Sequence, residues 1–156
     1  MQYSKGYTVA EATKKIEHFC AYQDRCHKEV VEKLKGLGMT AQTIDHIIGH
    51  LINENYLNEE RFAKSFARGK FRIKKWGKIR IVNELKARNI SKFNIQSALK
   101  EIPDIDYENT LQALSQKRLQ EIRETNLQKR RKKLADYLLY RGWETHLVYA
   151  KIKELT

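Results

Sequence analysis

Only one proline, Pro103, and two cysteines, Cys20 and Cys26, occur in the 156 residues, and neither an Asn-Gly nor an Asp-Gly pair is present. A single proline leaves the chain nearly free of its strongest helix breaker, and the missing dipeptides remove the best short-range hairpin signal. No segment sustains apolar–polar alternation, so strands are not predicted. Two cysteines are too few for a disulfide framework and suit a reducing compartment. Long hydrophobic runs are lacking too. Even Ile44–Ile52 is interrupted by Asp45, His46, Gly49 and His50, and falls short of the ~18 apolar residues of a membrane span. Residues 1–6 hold no apolar stretch of the kind that heads a secretory leader. The expectation is a cytoplasmic, helical protein with no membrane contact.

Acid is scarce in one place above all. From Arg61 to Lys92 there are twelve Lys and Arg against Glu84 alone, whereas residues 1–60 hold seven basic and nine acidic side chains and residues 93–156 hold twelve and nine. Nearly all of the net charge of +12 therefore sits in about one fifth of the chain. So many like charges repel one another, and a polyanion or an acidic protein surface relieves that cost.

Within this stretch a helix is predicted from about Glu59 to Lys75, capped by Asn58, then a Trp76-Gly77 break and a second helix from Lys78 to Arg88. Phe62, Phe66, Gly69, Ile73 and Trp76 recur at helical spacing and form an apolar seam. Arg61, Lys64, Arg68, Arg72 and Lys75 form a basic seam about a quarter turn away, which Lys70, Lys74, Lys78 and Arg80 widen. These nine are the candidate contacts to a partner or to nucleic acid. Glu84, four residues from both Arg80 and Arg88, reads as a helix salt-bridge partner. Phe71, between Lys70 and Arg72 and off the apolar seam, is the candidate for stacking on a base. Lys129, Arg130, Arg131, Lys132 and Lys133 form an auxiliary basic cluster.

Elsewhere Thr8, Asp24, Thr40 and Asn126 are candidate helix caps, and Asp104 or Asp106 opens a helix carrying Tyr107, Leu111, Leu114 and Ile122. The chain also repeats itself. Leu34, Leu85 and Leu138 are each followed four residues later by Gly38, Asn89 and Gly142, residues suited to a left-handed helix end. Met39, Ile90 and Trp143 come next, then the helix starters Thr40, Ser91 and Glu144. Each copy closes on apolar residues at a shared spacing: Ile44, Ile48, Leu51; Ile95, Leu99, Ile102; Val148, Ile152, Leu155. The prediction is an all-α chain of three tandem three-helix repeats, residues 1–57, 58–103 and 104–156, in an elongated, curved array.

Three-helix units raise a helix-turn-helix reading, but the third helix of the first copy carries no Lys or Arg, and those of the other two offer only lysines. No arginine stands ready to read guanine edges, so phosphate contact is favoured over sequence readout. His18, Cys20, Cys26 and His27 lack metal-ligand spacing, and His46 and His50 lack the glutamate of a His-Glu-x-x-His motif. No metal and no cofactor are expected. With no Gly-rich phosphate loop and no clustered carboxylates in the basic region, neither is an enzyme.

Tyr56-Leu57-Asn58-Glu59-Glu60-Arg61-Phe62-Ala63, Trp76-Gly77, Ile81, Glu84-Leu85 and Asn89-Ile90 resemble the central repeat of the RecX family, bacterial regulators of the RecA recombinase. Asn58-Glu59 stands where that family commonly has paired Asp, and Asn89 where it commonly has Gly. The resemblance implies a monomeric modulator, mainly an inhibitor, lodged in the groove of a RecA filament on single-stranded DNA, restraining ATP hydrolysis and strand exchange in DNA repair, recombination and the SOS response. Two other readings stay open on the residues alone: a nonspecific DNA-binding protein acting without a recombinase, and an adaptor docking on an acidic protein.

Overall fold

The computed structural model describes residues 6–156; the start of the first predicted repeat, and the residues 1–5 read above for a leader, lie outside this range. Nine α-helices and no strands are found among the described residues: α1 (Val9–Tyr22), α2 (His27–Gly36), α3 (Ala41–Asn53), α4 (Glu59–Lys74), α5 (Lys78–Ala87), α6 (Lys92–Leu99), α7 (Asp104–Glu121), α8 (Leu127–Tyr140) and α9 (Thr145–Leu155).

Local chemistry sets most boundaries. Thr8 and Glu11 form a reciprocal capping box on α1. Asn58 and Asn126 accept the backbone N–H groups of Arg61 and Lys129 at 2.9 and 3.0 Å, and Thr40 and Ser91 cap α3 and α6 the same way. Asp24 departs from its predicted role. The residue before α2 is Cys26, which makes no side-chain cap, and Asp24 binds Arg61 instead.

The repeat recurs in detail. Gly38, Asn89 and Gly142 have φ of 81°, 59° and 90°. Behind each, the next residue's N–H returns to the leucine carbonyl: Met39 to Leu34 (3.1 Å), Ile90 to Leu85 (3.1 Å) and Trp143 to Leu138 (3.2 Å). This bond pattern closes a helix on a left-handed residue.

Helix packing concentrates within the triples α1–α3, α4–α6 and α7–α9, and the pair α4 and α6 is the most extensive. The cores are grouped differently. Ala12, Ile16, Val30, Leu34, Ile47 and Leu51 belong to one cluster within the first triple. A second cluster runs without a break from Phe62 to Ile152 and takes in Cys26 from the first triple. The second and third triples therefore share one core.

Their joint is dense. Trp143, 1% exposed, is stacked on Tyr107 of its own unit with ring centroids 4.4 Å apart, and donates its indole N–H across the joint to the Lys75 carbonyl at 3.1 Å. Gly77 N–H reaches the Arg141 carbonyl at 2.8 Å, and Ile79 N–H the Gly142 carbonyl at 3.0 Å. Gly77 has no room for a side chain, because a Cβ would strike the Gly142 backbone, and a Cβ on Gly142 would strike Arg80. The first joint is polar by contrast: Arg61 Nε binds Asp24 Oδ1 at 2.7 Å, and Lys28 Nζ binds the Ala87 carbonyl at 3.2 Å.

The accessible surface is 10435 Å², against ~8,200 Å² for a compact chain of this mass. The excess agrees with units laid side by side.

Candidate partner and nucleic-acid interface

Helix α4 buries Phe62, Ala63, Ala67 and Phe71. Two parts of the sequence reading are corrected by this. Ile73, placed on the apolar seam, is 78% exposed, and Phe71, placed outside it as a base-stacking candidate, is buried against Tyr107 at 5.9 Å between centroids. The two alanines let α6 approach α4 closely, and this turns the helix so that Phe71 faces the second joint. Phe66 and Trp76 remain half-buried and in edge contact, with centroids 6.3 Å apart.

The basic seam divides along its length. Arg61 is engaged within the fold: besides Asp24 its guanidinium donates to the Asn55 and Tyr56 carbonyls at 3.1 and 3.2 Å. Lys64 pairs with Glu60 at 3.1 Å, and Arg68 with Glu101 at 2.8 Å. Beyond that point the ion pairs stop. Arg72, Lys74 and Lys75 are exposed and have no ion-pair partner among the described residues. Arg72 and Lys75 border a cleft of about 480 Å³ between α4 and α7, where Lys117 joins them and Asp106, the one carboxylate of its lining, stands with Asn109 and Thr110.

The remaining candidates stand on rings. Lys70 Nζ lies 5.5 Å from the Phe66 centroid and 5.1 Å from that of Trp76. Arg80 is held between Trp76 (4.2 Å) and Tyr140 (4.9 Å), rather than paired with Glu84 as the spacing suggested; Glu84 takes Arg88 alone, at 2.9 Å. Lys78 lies over Tyr107 at 4.5 Å and is 3.9 Å from the fully exposed Asp104, a weak pair in water. Tyr140, 77% exposed, was not singled out in the sequence, because its role depends on a contact between units.

The auxiliary cluster is mostly engaged. Arg130 donates to the Leu119 carbonyl at 3.0 Å and Arg131 to Thr156 Oγ1 at 2.8 Å. Lys132 pairs with Asp136 at 2.8 Å and Lys133 with Glu124 at 3.8 Å. Only Lys129 of the five makes no such bond through its side chain among the described residues.

Burial raises the Tyr107 hydroxyl far above its usual pKa, with its bond to Glu144 adding to the effect, so it stays protonated. It donates to Glu144 and accepts the Lys78 N–H at 2.8 Å. Burial likewise pushes the Cys26 thiol up to about 11. Neither group is an activated nucleophile. Among the described residues, no three His, Cys, Asp or Glu side chains gather as a metal set, and no helix is long and apolar enough to cross a membrane.

Residues 58–99 match the family model of the second three-helix domain of RecX, and residues 106–152 that of the third. The chain belongs to the RecX family. It is similar to the regulatory protein RecX of Oceanobacillus iheyensis, 26% identical over 138 residues, covering 88% of this chain but 51% of that protein. It is also similar to the regulatory protein RecX of Prosthecochloris aestuarii, 26% identical over 139 residues and 88% of each chain. The chain thus spans about half the length of the first RecX relative and most of the second. The crystal structure of RecX from Lactobacillus salivarius has the same fold, with a TM-score of 0.81 at 23% identity over 94% of this chain and 96% of that one.

Proposed function

We propose that this chain is a non-enzymatic regulator, chiefly an inhibitor, of a RecA recombinase, bound in the groove of the filament on single-stranded DNA. The observation that carries the reading is the match of residues 58–99 and 106–152 to RecX domains. The free cations Arg72, Lys74 and Lys75 at the end of α4 support it physically, since a groove lined with carboxylates and phosphates would supply the charge they lack. In this proposal residues 1–57, 58–103 and 104–156 are the working parts of a curved cytoplasmic monomer, with Lys70, Lys78 and Arg80 beside the free cations. Arg61, Lys64 and Arg68 are reassigned from contact to scaffold.

Charge reversal tests the reading. The triple variant Arg72→Glu, Lys74→Glu, Lys75→Glu is expected to melt near the parent. At ~1 kcal/mol per reversal it should raise the concentration that half-inhibits RecA ATPase by about a hundredfold. Reversing Lys92 and Lys153, exposed and outside the stripe, should change it little. Full inhibition by a normally folded triple variant would discard the role of the stripe. No inhibition by the parent would discard the recombinase reading, leaving nonspecific DNA binding, which the same three cations favour and which weakens steeply with salt.

A further inference from the structure

The first sixty residues are net acidic in sequence, yet the fold gathers four of their seven basic side chains on one face. Lys14, Lys15 and Lys33 surround a shallow cleft of about 520 Å³ with Arg25, and His18 lines it as well. Among the described residues no carboxylate lines it. Glu11 turns back to the Thr8 N–H at 3.0 Å, and Glu29 accepts the Cys26 thiol at 3.3 Å and pairs with Arg25 at 3.8 Å, which leaves the three lysines without an ion pair among the described residues.

Aromatic rings are set among these charges. Arg25 covers one face of Phe19 at 3.8 Å, and Lys33 lies 5.6 Å from the same ring. Tyr22 projects from the last turn of α1, 77% exposed, on the rim of the cleft. An exposed ring beside unpaired lysines is what a single strand uses: the base stacks and the adjoining phosphates meet the amines. An acidic peptide would use the charges and have no need of the ring.

We propose that α1 and α2 carry a second site, for single-stranded nucleic acid, in which Tyr22 stacks on a base while Lys14, Lys15 and Lys33 hold the phosphodiester backbone. The site is separate from the α4 cations and does not rest on the recombinase reading. A chain with two such surfaces, one on its first unit and one at the joint of the other two, would hold a strand at two points and gain avidity without new contacts.

The test uses the whole protein, without recombinase, and a fluorescent oligodeoxythymidylate, in the background lacking the α4 cations (Arg72→Glu, Lys74→Glu, Lys75→Glu). Tyr22→Ala should weaken binding at least fivefold and Tyr22→Phe should restore it. Lys14→Ala with Lys15→Ala should lower the slope of log K against log salt by about 1.4, two phosphates' worth. An oligonucleotide bearing a photoreactive halogenated uracil should crosslink to the peptide holding Tyr22. All these positions are exposed, so melting should not change. Unaltered affinity in the Tyr22→Ala and double-lysine variants, or crosslinks confined to other helices, would overturn the proposal. So would polyglutamate competing as well as DNA with Tyr22 dispensable, which would mark a docking face for acidic protein.

Discussion

Gly77 and Gly142 meet where two units touch, and Gly38 occupies the equivalent left-handed position in the first unit with open space around it. Alanine separates the two costs. Gly38→Ala should lose about 1 kcal/mol, the penalty of a Cβ at positive φ. Gly77→Ala has no such φ but drives a Cβ into backbone that cannot rotate away, so a loss of at least ~2 kcal/mol is expected. Urea melts of both variants decide it, and equal losses would mean that the joint yields more easily than its hydrogen bonds suggest. Cys26 gives a pH signature. Burial raises its folded pKa to about 11 from the ordinary 9.0, so the unfolded chain ionises first. Its contribution is complete below pH 9 and is lost as pH rises through 11, on the order of 3 kcal/mol in all. Melts from pH 8 to 11 should fall less steeply for Cys26→Ala than for the parent.

Along α4, position decides whether a cation is spent or free. Glu60 within the helix takes Lys64, and the other acids come from outside it, Asp24 before α2 and Glu101 after α6, which reach only Arg61 and Arg68. The last turn runs past both, and its cations sit favourably at the negative end of the helix dipole. Arg68→Glu should therefore cost about 1 to 2 kcal/mol, because it sets a second carboxylate beside Glu101, whereas Arg72→Glu should stay within ~0.5 kcal/mol. Thermal melts of the two single variants measure the contrast, and a matched pair would show that the Arg68–Glu101 contact carries no stability.

The whole molecule has two unlike joints. The second packs Phe71 on Tyr107 and bonds Trp143 to the Lys75 carbonyl inside a common core, and the first is held by Arg61, Lys28 and the inserted Cys26. Bending is expected at the first. Small-angle scattering should give a radius of gyration above the ~15 Å of a compact 156-residue chain, and Arg61→Ala should raise it further by freeing α1–α3. An unchanged radius in the variant would mean that Cys26 and the neighbouring packing hold the joint without the ion pair.

Helix positions and the threefold repeat were legible in the chain because they arise locally. Asn58, Thr40 and Ser91 cap their helices through bonds three residues away, and Gly38, Asn89 and Gly142 end theirs through bonds to the preceding turn. Asp24 misled because a residue far along the chain, Arg61, outbid the local N–H groups. Phe71 and Ile73 misled because the period of large residues was weighed while Ala63 and Ala67, which let α6 pack close, were not. The patch on α1 had a readable signal in Lys15, His18, Phe19 and Tyr22, spaced to share one face, but the overall acidity of its segment concealed it. By itself, then, the sequence determined the helices, their caps and their triplication, all products of bonds spanning a few residues. Which cations stay unpaired, which units share a core and which rings stay exposed were decided by tertiary contacts, because each depends on partners some 30 to 70 residues apart in the chain.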